Sequence, residues 1–188
     1  GHRWMAYVHL GTNKLTSLLG RDNEHWSFYF NTQASVMEGN EIRDNGDGSF
    51  TTTAATTRYS ALDQYLMGFL DPAGFESMFY VTNISGTFQN ASSPPAVGVT
   101  FRGTRQNFTI DDIIAAEGPR IPDASLAPKV LRQAFILVIP QGTTVPQSDI
   151  DKLSRIRRRW QQFYFDATNG RGTVETTINA VPLIPSIT

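Results

Sequence analysis

Cysteine is absent and histidine occurs three times, at His2, His9 and His25. Any metal or proton-transfer chemistry in this chain must therefore be built from imidazoles and carboxylates. A zinc-hydrolase helix reads H-E-x-x-H, with two His one turn apart on the metal and the Glu between them polarising the attacking water. Gly1-His2 matches the last two positions of that motif, and Trp4-Met5-Ala6-Tyr7-Val8 is the apolar continuation such a helix needs. The alternative is a partly exposed helical His with no ligand. His9 is a poor partner, because seven residues of helix carry it about 10 Å from His2 while metal–nitrogen bonds are about 2 Å. It reads as a surface residue or one outside the ligand set. His25 is better placed, in the polar loop Asp22-Asn23-Glu24-His25-Trp26 that can fold back over a helix. Its alternative is a loop His packed on Trp26. Glu38, in Val36-Met37-Glu38-Gly39-Asn40, is a third ligand, a partner that holds a ligand His in one tautomer, or a solvated turn carboxylate.

Other motifs carry less. Met67 sits where a methionine floor beneath a metal site could lie, although Met at helical spacing is commonly core filler. Asp44-Asn45-Gly46-Asp47-Gly48 is not an EF-hand: placing Asn45, Asp47 and Gly48 at the third, fifth and sixth positions puts Arg43 first and Ala54 twelfth. It is a hairpin turn instead. Arg155, Arg158 and Arg159 share a helix side opposite Ile156, Trp160 and Phe163, which reads as a solvated face rather than a phosphate contact. No G-x-S-x-G, phosphate-cradling Gly loop or Ser/His/Asp order is present.

The elements that would position these residues follow from periodicity. Residues 2–10 read as an amphipathic helix with Trp4, Met5, Val8 and Leu10 inward and no N-cap before it. The chain is on that ground expected to be a piece of a longer protein. Trp26 to Phe30 reads as a buried strand, and Ile42 to Phe50 as a hairpin. Tyr59 to Phe69 reads as a helix capped by Ser60 and Asp63 and ended by Asp71-Pro72. Strands are expected at 75–83 and 97–110, then a short helix capped by Thr109. Leu131 to Ile139 reads as the central strand. A long helix spans Ser148 to Thr168, with Ser148 and Asp151 as its capping pair, a stripe of Ile150, Leu153, Ile156, Trp160, Phe163 and Tyr164, and Asn169-Gly170 to close it. Residues 173–188 read as an extended tail. The class is α+β, a single domain over 1–188 with mixed or antiparallel strands and a few helices.

Five blocks, Gly1-His2-Arg3-Trp4, His25-Trp26-Ser27-Phe28, Ser35 to Asn40, Asp44 to Thr51 and Tyr59 to Gly68, resemble successive blocks of large secreted bacterial proteins. Those proteins resemble zincin-type (H-E-x-x-H) metallopeptidases, and their chemistry is inferred from that motif. Asp112 to Arg120 and Asn169 to Thr173 extend the likeness over nearly the whole chain. The resemblance implies that His2 is the second His of the motif, with the first His and the general-base Glu upstream of Gly1. His25 and Glu38 then become possible further zinc ligands, and protein or peptide the substrate. No catalytic residue lies within the chain itself, which is expected to be inactive and a poor zinc binder alone.

Length and composition fit that frame. The chain has 188 residues, 40% hydrophobic and 18% charged, which excludes a disordered tail, a collagen and a coiled coil. The longest apolar run, Phe135 to Ile139, is far short of the ~20 residues of a membrane span. A net charge of −1 gives no pull toward nucleic acid. Loops rich in Thr, Ser and Asn and the lack of cysteine are consistent with a secreted protein; the sequons at Asn83, Asn90 and Asn107 matter only in a glycosylating host. The rival reading is a non-catalytic extracellular module that binds protein or glycan or supports neighbouring domains, motivated by 11% aromatic residues without a complete catalytic set.

Overall fold

The computed structural model describes residues 2–177. They fall into two compact units, one ending at Pro128 and the other starting at Lys129. The class is α+β.

In the first unit, β1 (Asn40–Asp44) and β2 (Ser49–Ala55) form the expected hairpin. Gly46 and Gly48 take φ of 83° and 78°, which L-residues rarely adopt. Asp44 Oδ1 accepts from Gly46 N–H and Asp47 Oδ1 from Ser49 N–H, each at 2.9 Å, so these carboxylates fasten a turn. β3 (Met78–Ser85) and β4 (Thr100–Phe108) complete an antiparallel sheet of order β1-β2-β4-β3. Strand alternation sorts the core. Ile42, Phe50, Phe79, Val81 and Phe101 gather with Phe28 and Tyr29, while Met78 and Phe108 join the larger cluster around Met5, Leu18, Trp26, Leu62, Tyr65 and Ile113. Phe28, Phe30, Phe50 and Phe101 are at most 2% exposed, each worth about 1.5–3 kcal/mol relative to an exposed ring.

Helix α1 (Ala61–Leu66) starts at Ser60, whose Oγ accepts from Asp63 N–H while Asp63 Oδ2 accepts from Ser60 N–H, as the Ser60/Asp63 spacing predicts. Helix α2 (Ile110–Glu117) follows Thr109, whose N–H donates to Asp112 Oδ2 at 2.8 Å, and ends at Gly118.

Two expected elements of this unit are replaced by irregular chain. Residues 2–10 form turns, with Leu10 bridged to Leu15. Met5, Ala6, Val8 and Leu10 are buried, yet Trp4 and Tyr7 are 49% and 41% exposed. A short uncapped helix is marginal, and the turns bury Met5, Val8 and Leu10 while leaving Trp4, expected inward, half-exposed. Trp26 to Phe30 is buried as expected but makes only single bridges, Trp26 to Leu19 and Phe30 to Tyr80. Trp26 and Phe30 enter the larger core cluster while Phe28 and Tyr29 enter the other, a division that strand alternation would not make because residue 28 has the parity of 26 and 30.

In the second unit, β5 (Val130–Arg132) pairs in parallel with β6 (Thr173–Glu175), and α3 (Gln147–Ala167) connects them. The strand expected over Leu131 to Ile139 is therefore cut to its first residues. Among the described residues only β6 pairs with it, and Ile136 and Val138 stand 79% and 86% exposed. Helix α3 follows Pro146 without a side-chain cap, instead of the Ser148–Asp151 pair. It buries Tyr164 and Ala167, whereas Ile150, Ile156 and Phe163 of the expected stripe are exposed. Its closure is as expected: Asn169 and Gly170 take φ of 52° and 73°, and Gly170 N–H donates to Phe165 O. Within the expected tail, 173–175 is strand and 178–188 lie outside the described residues. Among the described residues no helix is long and apolar enough to cross a membrane.

Candidate metal centre

The loop from Arg21 to Asn40 folds back on itself through a series of left-handed backbone positions. Asp22, Asn23, Gln33, Ala34 and Glu38 all take φ between 54° and 61°, conformations that cost an L-residue energy and persist where surroundings enforce them. A tight turn at Arg21–Asn23 presents Arg21 O to the ring of His25. The second reversal is sealed at Gly39, where a Cβ would come within 1.9 Å of Thr32 Oγ1. Only glycine lets the chain close there, and that closure carries Glu38 back toward His25.

The result brings together residues distant in sequence. The His2 and His25 rings meet edge to face, with centroids 4.7 Å apart and planes at 72°. His25 Nδ1 lies 3.0 Å from Arg21 O. A carbonyl only accepts, so Nδ1–H donates, and the lone pair of the neutral ring is left on Nε2. Nε2 faces Glu38 Oε1 at 3.7 Å, too long for a hydrogen bond. Two zinc ligands at about 2.0–2.1 Å in a tetrahedron stand roughly 3.4 Å apart, close to this separation. His25 is buried, with 7% exposure, and His2 is exposed.

Glu38 has a stronger partner. Arg21 Nε donates to Oε2 at 2.6 Å and Nη2 to Oε1 at 2.5 Å, a bidentate pair about one-third exposed. These bonds hold the Arg21 guanidinium above its ordinary range. The sequence reading missed Arg21; the signal available to it was a cation one helical turn before His25.

Two of these groups are of types that bind transition metals: the His25 imidazole has Nδ1 anchored to a carbonyl and Nε2 turned toward Glu38, and the His2 imidazole packs edge-on against it. The set is incomplete by itself. Among the described residues no group of three or more His, Asp or Glu side chains is gathered so as to hold a metal ion. His9 lies elsewhere, its Nδ1 2.5 Å from Glu117 Oε1 on α2. Met67 packs half-buried against the larger core cluster and contributes apolar filling. Arg155, Arg158 and Arg159 are exposed along α3. No family profile, curated protein or solved structure matches this chain.

Proposed function

We propose that this chain is the larger, C-terminal part of a zincin-like zinc metallopeptidase domain from a secreted protein, with His2 and His25 as metal ligands. The observation that carries the reading is the contact of these two imidazoles, with His25 held by Arg21 O so that Nε2 is free to coordinate. Upstream residues supply the remaining His and the general-base Glu. Zinc in such a centre supplies Lewis-acid activation of water and of a peptide carbonyl. The chain's own part is to hold two imidazoles and to set Glu38, neutralised by Arg21, beside that of His25. Residues 1–188 alone lack the general base and should hydrolyse no peptide.

The test is zinc stoichiometry of a chain extended upstream through the H-E-x-x positions, alongside its His2→Ala and His25→Ala variants. One zinc per chain is expected, with affinity lowered at least about tenfold in each variant. Absence of stoichiometric zinc in the extended chain overturns the reading. The rival, a non-catalytic extracellular module, is favoured by one feature: Arg21 already engages both oxygens of Glu38, as in a purely structural pair. Retention on protein or glycan together with no zinc uptake would select it.

A further inference from the structure

Behind His25 and Glu38 four groups close a buried ring of hydrogen bonds. Trp26 Nε1–H donates to Asp63 Oδ1 at 2.9 Å, and Ser35 Oγ–H donates to Asp63 Oδ2 at 2.5 Å. Met37 N–H donates to Ser35 Oγ at 3.0 Å, and Trp26 N–H donates to Met37 O at 3.2 Å, which completes the circuit. Asp63 and Ser35 are fully buried, and Trp26 and Met37 nearly so. Trp26 directly follows His25, and Met37 directly precedes Glu38. The ring therefore ties together the backbones on which both site residues are mounted.

Asp63 does more here than helix capping requires. The capping box accounts for its bonds with Ser60. It does not account for the bonds to Trp26 and Ser35, which come from two other segments. A carboxylate suits the task because both of its oxygens only accept, so it can receive both arms and the Ser60 amide together. Asn at this position would turn an N–H₂ toward one arm. Rigid α1 supplies the fixed point. We propose that Asp63 is a positioning residue for the centre, setting the His25–Glu38 separation through Trp26 on one side and Ser35–Met37 on the other. This rests on the zinc reading above.

The experiment compares Asp63→Asn and Ser35→Ala, which cut the ring, with Ser60→Ala, which removes the cap and leaves the ring intact. One readout is the His25 ring tautomer from ¹⁵N shifts in residues 1–188; the other is zinc affinity of the chain extended upstream. Both ring variants are expected to mix the His25 tautomers and to weaken zinc about tenfold. Ser60→Ala should lower the melting temperature with wild-type values of both. Ring variants that melt lower yet keep a single tautomer and unchanged zinc affinity overturn the proposal. If Asp63→Asn does not fold, Ser35→Ala against Ser60→Ala makes the same comparison. If the wild-type extended chain takes up no zinc, the functional reading fails, and the tautomer comparison alone decides the positioning role.

Discussion

Carboxylates in this protein divide by what surrounds them, and the division sets how it responds to acid. Asp44, bonded to Gly46 N–H and Arg105, and Asp47, bonded to the Ser49 hydroxyl and amide, are both held below the usual carboxylate range. Their stabilisation is complete above about pH 4 and is lost as pH falls through their lowered folded values. Burial instead pushes Asp63 up against the donors Ser35, Ser60 and Trp26, so its sign is opposite, with stability lost as pH rises through its folded value. The difference in melting temperature between wild type and Asp47→Asn should therefore be largest near neutrality and shrink below about pH 4. A circular-dichroism melting series over pH checks this, and a constant difference would contradict it. At the same scale, the types of the site residues were readable in the sequence but their meeting was not. His2, His25 and Glu38 stand out as donors, yet their approach depends on Asp22, Asn23, Gln33, Ala34 and Glu38 occupying left-handed conformations. Apart from Asn23 and Asp22, none of those residue types signals such a bend.

Elements whose causes are local were the legible ones. Hairpin β1–β2 and helices α1 and α2 are fixed by residues two or three positions apart, such as Asp44 with Gly46, Ser60 with Asp63 and Thr109 with Asp112. Ser60→Ala tests how much one such device carries. It removes the acceptor for Asp63 N–H at a buried position, so a loss of about 1–2 kcal/mol is expected, read by urea denaturation with an unchanged m-value. The illegible elements depended on partners beyond their own windows. Residues 2–10 show helical spacing, but their apolar side chains settle on Leu18 and Trp26 in turns. Leu131 to Ile139 has strand composition, and a strand also needs a neighbour to receive its backbone. Among the described residues only β6 pairs there, at Val130 to Arg132.

At the scale of the whole chain, the α+β class was legible because strand-forming and helix-forming segments follow one another with clear turn signals. Burial was not, since three of the six residues in the apolar stripe of α3, Ile150, Ile156 and Phe163, are exposed. The segment Phe135 to Ile139 compounds this. It contains neither charge nor proline, Ile136 and Val138 project outward, and a net charge of −1 gives molecules little mutual repulsion. Val138→Lys should raise the concentration at which light scattering begins while leaving the melting temperature nearly unchanged. Onset at the wild-type concentration would exonerate the segment. A gatekeeper lysine here would thus do for purified samples what a missing strand neighbour would otherwise do: deny sister molecules a sticky, β-competent template for self-association.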